Sequence, residues 1–181
     1  MIPKPIKNMG QRGREFSTWA AMCVGYGVRT YVELGSWDGS SAVFMRKSGV
    51  EKVVTVDITN DIPGALMHTD VRWVHGDSHD VDTLHKVVDI LGGYPDAVFI
   101  DADHEGDAPR KDFDLWWPVT QKLLGFHDIH ELEGVRRVWD EVSKVNRSVE
   151  IISKDTKSWR EFHHNSEIWG RIGVLFKEHE C

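Results

Sequence analysis

Five short apolar runs set what this chain can fold into: TYVELG (30–35), KVVTVDI (52–58), VRWVHGD (71–77), DAVFIDAD (96–103) and KLLGFHD (122–128). They are rich in Val and Ile, as buried strands are, and stand too far apart for hairpins. The chain between them has helical patterning. In DVDTLHKVVDIL, Val81, Leu84, Val87, Val88 and Leu91 fall on one face of a 3.6-residue period. Pro109, just after Asp107 and Ala108, suits the first turn of another helix, which would carry Phe113, Leu115, Trp116 and Trp117. Val135, Val138, Trp139 and Val142 form a third stripe. Strand and helix alternating in this way predict an α/β fold with a mostly parallel sheet covered on both faces. Ligands are then expected beyond the carboxyl ends of the strands.

The tail departs from this pattern. SVEIIS (148–153) and EIWGRIGVLFK (167–177) read as two more strands with no helical stretch between them, which predicts seven strands and an antiparallel closing pair. A helix around Glu15 to Tyr26 is expected to cap the sheet. A chain of 181 residues, 40% hydrophobic, can bury one substantial core. Residues 1–181 are therefore expected to be a single domain, with 1–29 as N-terminal arm and cap helix. The arm, MIPKPIKNMGQRG, has no core pattern and is a candidate for reaching across a homodimer.

Charge and cysteine content exclude several classes of partner. The net charge is −7, and neither sign forms a long run, so nucleic acid is not expected as a partner. Two cysteines, Cys23 and Cys181, make neither a disulfide framework nor a zinc knuckle, and a reducing, cytoplasmic setting fits them. No apolar run approaches the ~18 residues of a membrane span, and the start lacks the apolar block of a signal peptide.

The chemistry is expected at two places. Glu33-Leu34-Gly35-Ser36-Trp37-Asp38-Gly39-Ser40 leaves a strand and enters a helix. Gly35 and Gly39 can give the tight turn and close backbone approach that a nucleotide-like ligand needs, or can simply turn the chain. The second strand ends at Asp57, placed to accept hydrogen bonds from both hydroxyls of a ribose. The dinucleotide fingerprint G-x-G-x-x-G is matched only at its first glycine, with Trp37 and Ser40 at the other two. Trp37 would obstruct a pyrophosphate. S-adenosylmethionine (SAM) has no phosphate, and the turn need only wrap an amino acid and a ribose.

The second place is the pair of clusters Asp101-Ala102-Asp103-His104 and His127-Asp128-Ile129-His130, after the fourth and fifth strands. Chemistry at a hydroxyl requires a positioned acceptor whose proton is weakened or removed. Asp101, His127 and Asp128 would form a mixed oxygen and nitrogen metal site that lowers the acceptor's pKa, and His104 could take the proton. Alternatively, the carboxylates cap the following helices and the histidines make ordinary hydrogen bonds. Asp103 reads as a local cap and Asp112 as a solvated or salt-bridged helix residue. Trp116, Trp117 and Trp139 read as core. The pair His163-His164 either borders the acceptor pocket or is solvated.

In order and spacing, VELGSWDGSS, VVTVDI, HGDS, FIDADH and GFHDI resemble the motifs of class I SAM-dependent methyltransferases. Within that class they resemble the small metal-dependent O-methyltransferases that act on macrolide sugars, and cephalosporin-hydroxylase-like proteins. The resemblance runs from about Thr30 to Lys177. It implies a Rossmann-like fold in which Glu33, Gly35, Ser36, Trp37, Gly39 and Ser40 surround the methionine end of SAM. Asp57 and Ile58 would lie at the ribose, Gly76, Asp77 and Ser78 at the adenine, and Asp101 near both cofactor and metal. It also places a metal carboxylate and a base three residues apart, as Asp101 and His104 stand here, with further ligands matching His127 and Asp128. Where the family usually has an acid or amide pair, this chain has His127. Mg²⁺ or Mn²⁺ is the expected ion, and an imidazole ligand would pull preference toward Mn²⁺, Fe²⁺ or Zn²⁺. The expected reaction is O-methylation of a small polar acceptor such as a sugar or natural product. The rivals are a metal-dependent hydrolase or oxygenase using the same cluster, and a SAM-binding module that no longer catalyses.

Overall fold

All five apolar runs form strands in a computed structural model that describes residues 13–153 and 170–177. In chain order the strands are β1 (Thr30–Leu34), β2 (Lys52–Asp57), β3 (Arg72–His75), β4 (Ala97–Ile100), β5 (Leu123–Phe126), β6 (Ser148–Ser153) and β7 (Gly170–Phe176). The helices are α1 (Gly13–Gly25), α2 (Ser40–Lys47), α3 (Val81–Leu91), α4 (Ala108–Trp116) and α5 (Glu133–Val142), with a short 3₁₀ turn at Gly64–Leu66. The seven strands form one sheet in the order β3-β2-β1-β4-β5-β7-β6. β1 to β5 pair in parallel, and β7 runs antiparallel between β5 and β6. The expected closing pair is therefore present. The arm at 1–12 and the pair His163-His164 lie outside the described residues.

Alternation along the strands feeds two cores. Tyr31, Val53, Ala97, Phe99 and Leu123 face one side, where Phe16 and Trp19 of α1 and Phe44 and Met45 of α2 pack on them. Val32, Leu34, Val54, Val56, Val98, Ile100, Leu124 and Phe126 face the other, against Leu84, Phe113, Trp116 and Trp139 of α3, α4 and α5. A parallel sheet buried on both faces needs apolar residues at successive strand positions, which is why these runs read as nearly continuous. Trp139 reaches β7 because Gly173 has no side chain, and a Cβ there would lie 2.5 Å from the indole.

Local signals set the helix ends. Asp80 caps α3, its side chain accepting from the Asp82 N–H at 3.0 Å, and Gly92 closes it in the left-handed conformation. Pro109 sits in the first turn of α4, as its fixed φ favours. One expectation is corrected: Val81 is 50% exposed, and Thr83 takes a place on the buried face with Leu84, Val87 and Leu91. Val81 opens the helix, where the first turn has not yet settled onto the sheet. No helix among the described residues is long and apolar enough to cross a membrane.

Candidate functional site

Register assembles the site. Leu34 pairs with Val56 and with Ile100, and Ile100 pairs with Phe126, so the residues that follow these, Gly35, Asp57, Asp101 and His127, leave the sheet in one row. Ladder-like hydrogen bonds continue one step further, from Gly35 N–H to Val56 O, Asp101 N–H to Leu34 O and His127 N–H to Ile100 O, all 2.9–3.0 Å. The strand order reverses between β1 and β4, which is where open α/β sheets part to admit ligands. A cavity of about 750 Å³ opens there, within the roughly 300–1,000 Å³ usual for small-molecule sites.

Twelve sequence-predicted residues line this cavity: Gly35, Ser36, Trp37, Asp57, Ile58, Gly76, Asp77, Ser78, Asp101, His104, His127 and Asp128. Glu33, Gly39 and Ser40 do not line it. The glycine turn passes so close to β4 that a Cβ on Gly35 would lie 2.1 Å from the Asp101 carbonyl oxygen, and Gly35 has φ +92°. Gly35→Ala is expected to cost at least ~2 kcal/mol by denaturant unfolding, combining left-handed strain with a backbone clash. A loss below ~0.5 kcal/mol would show that the turn can yield.

Asp57 ties the turn to β2. Its Oδ2 accepts from Ser36 N–H (2.8 Å) and Trp37 N–H (3.2 Å), and its Oδ1 accepts from Thr59 N–H (2.9 Å). Burial opposes ionisation, but these backbone donors outweigh it and hold the carboxyl below its usual range. Trp37 has φ +40° and is 73% exposed at the rim, where Ile58 is also exposed.

Glu33 lies behind the cavity wall, fully buried, where Ser41 Oγ donates to Oε1 and Tyr31 OH donates to Oε2. Burial pushes its pKa up to about 8, with the Asp101 charge adding and the two hydroxyl donors opposing. A folded-state pKa above the unfolded one gives a contribution complete below pH ~4.3 and lost as the pH rises through about 8. Glu33→Gln is therefore expected to remove part of the decline in melting temperature across that window. Parallel wild-type and variant curves between pH 4.5 and 8.5 would refute it.

At the other end, carboxylates and imidazoles converge. His104 Nε2 lies 3.2 Å from Asp101 Oδ1 and 4.0 Å from Asp128 Oδ2. His127 Nδ1 lies 3.1 Å from Asp101 Oδ1 and 3.2 Å from Asp128 Oδ2. His127 Nε2 meets Glu15 Oε1 of α1 at 3.1 Å, so His127 is engaged at both ring nitrogens. Burial would lower the pKa of His127, but Asp101 foremost, with Asp128 and Glu15, raises it well above the usual value. His104 is raised in the same way, with burial opposed by Asp101 and then Asp128. Among the described residues, Asp101, His104 and Asp128 offer ligand atoms within 4.8 Å of one another, a spacing and donor set suited to a divalent cation. Asp128 has φ +52°, a left-handed conformation uncommon for a side-chain-bearing residue and found often at ligand sites.

Asp103 caps no helix, since α4 is entered at Asp107; it closes a turn in the loop, accepting from Glu105 N–H at 2.9 Å, and borders the cavity. Of the two expectations for Asp112 the salt-bridged one holds: its carboxylate is fully buried on α4, with His79 Nε2 3.6 Å from Oδ1. Sequence reasoning also passed over Glu15 and His79. The signal for Glu15 was present, since it falls on the same helical face as Trp19 and Cys23, where a carboxylate needs a buried partner.

Comparison with known proteins agrees with this geometry. An uncharacterized protein of Acanthamoeba polyphaga mimivirus is 23% identical over 130 residues, 64% of this chain, and the chain spans 58% of the length of that curated relative. An O-methyltransferase from Bacillus cereus, solved in complex with S-adenosylhomocysteine (SAH), superposes with a TM-score of 0.67 at 16% identity over 97% of this chain and 84% of that one. MycE, a methyltransferase of the mycinamycin biosynthetic pathway solved with Mg, SAH and mycinamycin VI, gives 0.56 at 16% identity over 87% of this chain and 48% of that one. These two likenesses speak to the fold. The model of the family described as "Methyltransferase domain" matches residues 32–129, which span β1 to the loop after β5 and hold the whole row of strand-end residues; this chain belongs to that family.

Proposed function

We propose that this protein transfers a methyl group from SAM to a hydroxyl of a small polar acceptor, with a divalent cation at the Asp101 end of the cavity. The observation that carries this reading is the placement of two chemistries on one wall. The glycine turn and Asp57 lie over β1 and β2, while the donor atoms of Asp101, His104 and Asp128 lie over β4 and β5. The first part suits a ribose joined to an amino acid. The second suits a cation that would make an acceptor hydroxyl more acidic and hold it in line with the methyl group. That the solved Bacillus cereus and MycE enzymes hold SAH, and MycE also Mg, supports it.

Asp101 and Asp128 supply the anionic donors, and His104, half-buried at the mouth, supplies the third. In this reading His127 has a positioning role in place of the ligand role expected from the sequence. Held between Glu15 and the two carboxylates, it positions them and balances their charge. Exposed Trp37 and Ile58, beside the glycine turn and Asp57, would lie against the bound cofactor.

Calorimetric titration with SAH, with and without EDTA and added Mg²⁺ or Mn²⁺, tests both halves. SAH binding is expected throughout, together with a separate, EDTA-sensitive binding of metal. Absence of SAH binding under every condition overturns the reading. SAH binding without any metal binding removes the cation from it.

A further inference from the structure

Glu15 is a carboxylate sealed into an apolar interface. It sits in the first turn of α1, on the face that carries Phe16, Trp19, Ala20 and Cys23 into the core. Its Oε1 meets His127 Nε2 at 3.1 Å, and its Oε2 is buried with no hydrogen-bond partner among the described residues. Burying such a group is unfavourable, and native folds keep few of them without a use.

The close approach of α1 to the end of β5 is built into the packing. A Cβ on Gly125 would lie 2.7 Å from the Phe99 ring and 3.3 Å from the Trp19 indole, so the missing side chain lets the helix settle there. Trp19 stacks on Phe99 with 5.6 Å between ring centroids, and Phe99 stands 6.1 Å from the His127 ring. Glu15 lies one turn before Trp19 on the same helical face, which brings its carboxylate to the back edge of His127. The front edge, Nδ1, points between Asp101 Oδ1 (3.1 Å) and Asp128 Oδ2 (3.2 Å). One imidazole thus joins carboxylates from α1, from the loop after β4 and from the loop after β5.

An imidazole can turn over about its Cβ–Cγ bond, which exchanges Nδ1 with Cδ2 and Nε2 with Cε1. An acceptor fixed at Nε2 favours one of the two orientations, and here it is the one that presents Nδ1 to Asp101 and Asp128. We propose that Glu15, acting through His127, is a positioning residue for the cation site, holding the Asp101 and Asp128 carboxylates at the separation that receives a divalent ion. The inference rests on the reading of the Asp101 end of the cavity as a cation site, and it extends that site to α1. Without Glu15, His127 can turn over, the two carboxylates lose their common anchor, and affinity for the ion falls.

The test uses Mn²⁺ alone, titrated into the protein and followed by electron paramagnetic resonance, so its outcome does not depend on SAM. Loss of an outer partner of metal ligands costs about 10–100-fold, and Glu15→Ala is expected to weaken Mn²⁺ binding at least ~10-fold. Glu15→Gln, whose amide oxygen can still accept from Nε2–H, is expected to stay within about threefold of wild type. Glu15→Leu fills the same space with an apolar side chain and carries the same expected loss, should Glu15→Ala fold poorly. Hydrogen exchange along α1 separates positioning from docking, and its protection is expected to persist in Glu15→Leu while Mn²⁺ affinity falls. Weakened Mn²⁺ binding only where α1 protection also collapses would mean a merely structural role and would overturn the inference. Glu15→Gln protein as weak as Glu15→Leu would show that charge acts without orientation, and overturns it as well. Unchanged Mn²⁺ affinity in the alanine and leucine variants overturns this inference and leaves the cation reading standing. Wild-type protein that binds no Mn²⁺ overturns both together.

Discussion

Asp101→Ala is expected to weaken Mn²⁺ binding by roughly 100-fold or more, while SAH binding changes far less. Loss of an outer partner of a metal ligand already costs about 10–100-fold, and Asp101 is proposed as a ligand itself. Its Oδ1 lies 3.2 Å from His104 Nε2 and 3.1 Å from His127 Nδ1, so both imidazoles lose the nearer of the two carboxylates they share. Without it the remaining donors carry less negative charge toward a cation, and the imidazoles are freer to turn. Manganese titration followed by electron paramagnetic resonance, in the presence of SAH, reads the effect directly. His104→Ala under the same conditions separates two roles. Weakened metal binding marks His104 as a ligand, and unchanged metal binding returns it to the role of base. Equal metal affinity in wild-type and Asp101→Ala protein would remove the proposed cation site.

Glu15→Ala is expected to lower the melting temperature by about 10 °C near pH 6. Glu15 is fully buried, and among the described residues its carboxylate meets His127, whose side chain is 9% exposed. Removing Glu15 leaves His127 Nε2 without its partner in a low-dielectric interior, while Asp101 and Asp128 still balance the charge of the ring, at a cost of about 3 kcal/mol. In a domain of this size each kcal/mol lowers the melting temperature by ~2–4 °C. The folded-state pKa of His127 is raised, so its contribution is complete below about pH 6.5 and lost as the pH climbs through the folded value. The difference between wild type and variant should therefore shrink on the alkaline side. A shift under ~3 °C at pH 6 would show that the fold relaxes around the gap.

The sheet was legible in the sequence because its signal is local. A strand buried on both faces must be apolar at consecutive positions, and runs such as VVTVDI and DAVFID satisfy that without reference to the rest of the chain. The stripe Val135, Val138, Trp139 and Val142 was equally plain, since four residues at helical spacing have one buried face. Val81 was misread because periodicity marks a face but not where the helix first meets the sheet.

The edge that carries the cavity was legible for a related reason. Residues that end parallel strands share one rim, so Gly35, Asp57, Asp101 and His127 could be gathered before their register was known. What the rim carries was also visible in their chemical types. Partners arriving from helices were not visible. Glu15 lies 112 residues from His127, and Asp112 lies 33 residues from His79, and no spacing rule links a helix side chain to a strand-end loop across such separations.

Sequence alone thus determined the fold class, the strand-end residues and the position of the glycine turn, each of which depends on the order of neighbours along the chain. Tertiary structure decided the burial of each group at the site and the charges that surround it. Whether Glu33 lies behind the wall or on it, whether Asp112 is solvated or sealed in, and whether His127 faces one carboxylate or three depend on helix packing against the sheet. Desolvation and charge proximity follow from that packing, and they set what a carboxylate or an imidazole does.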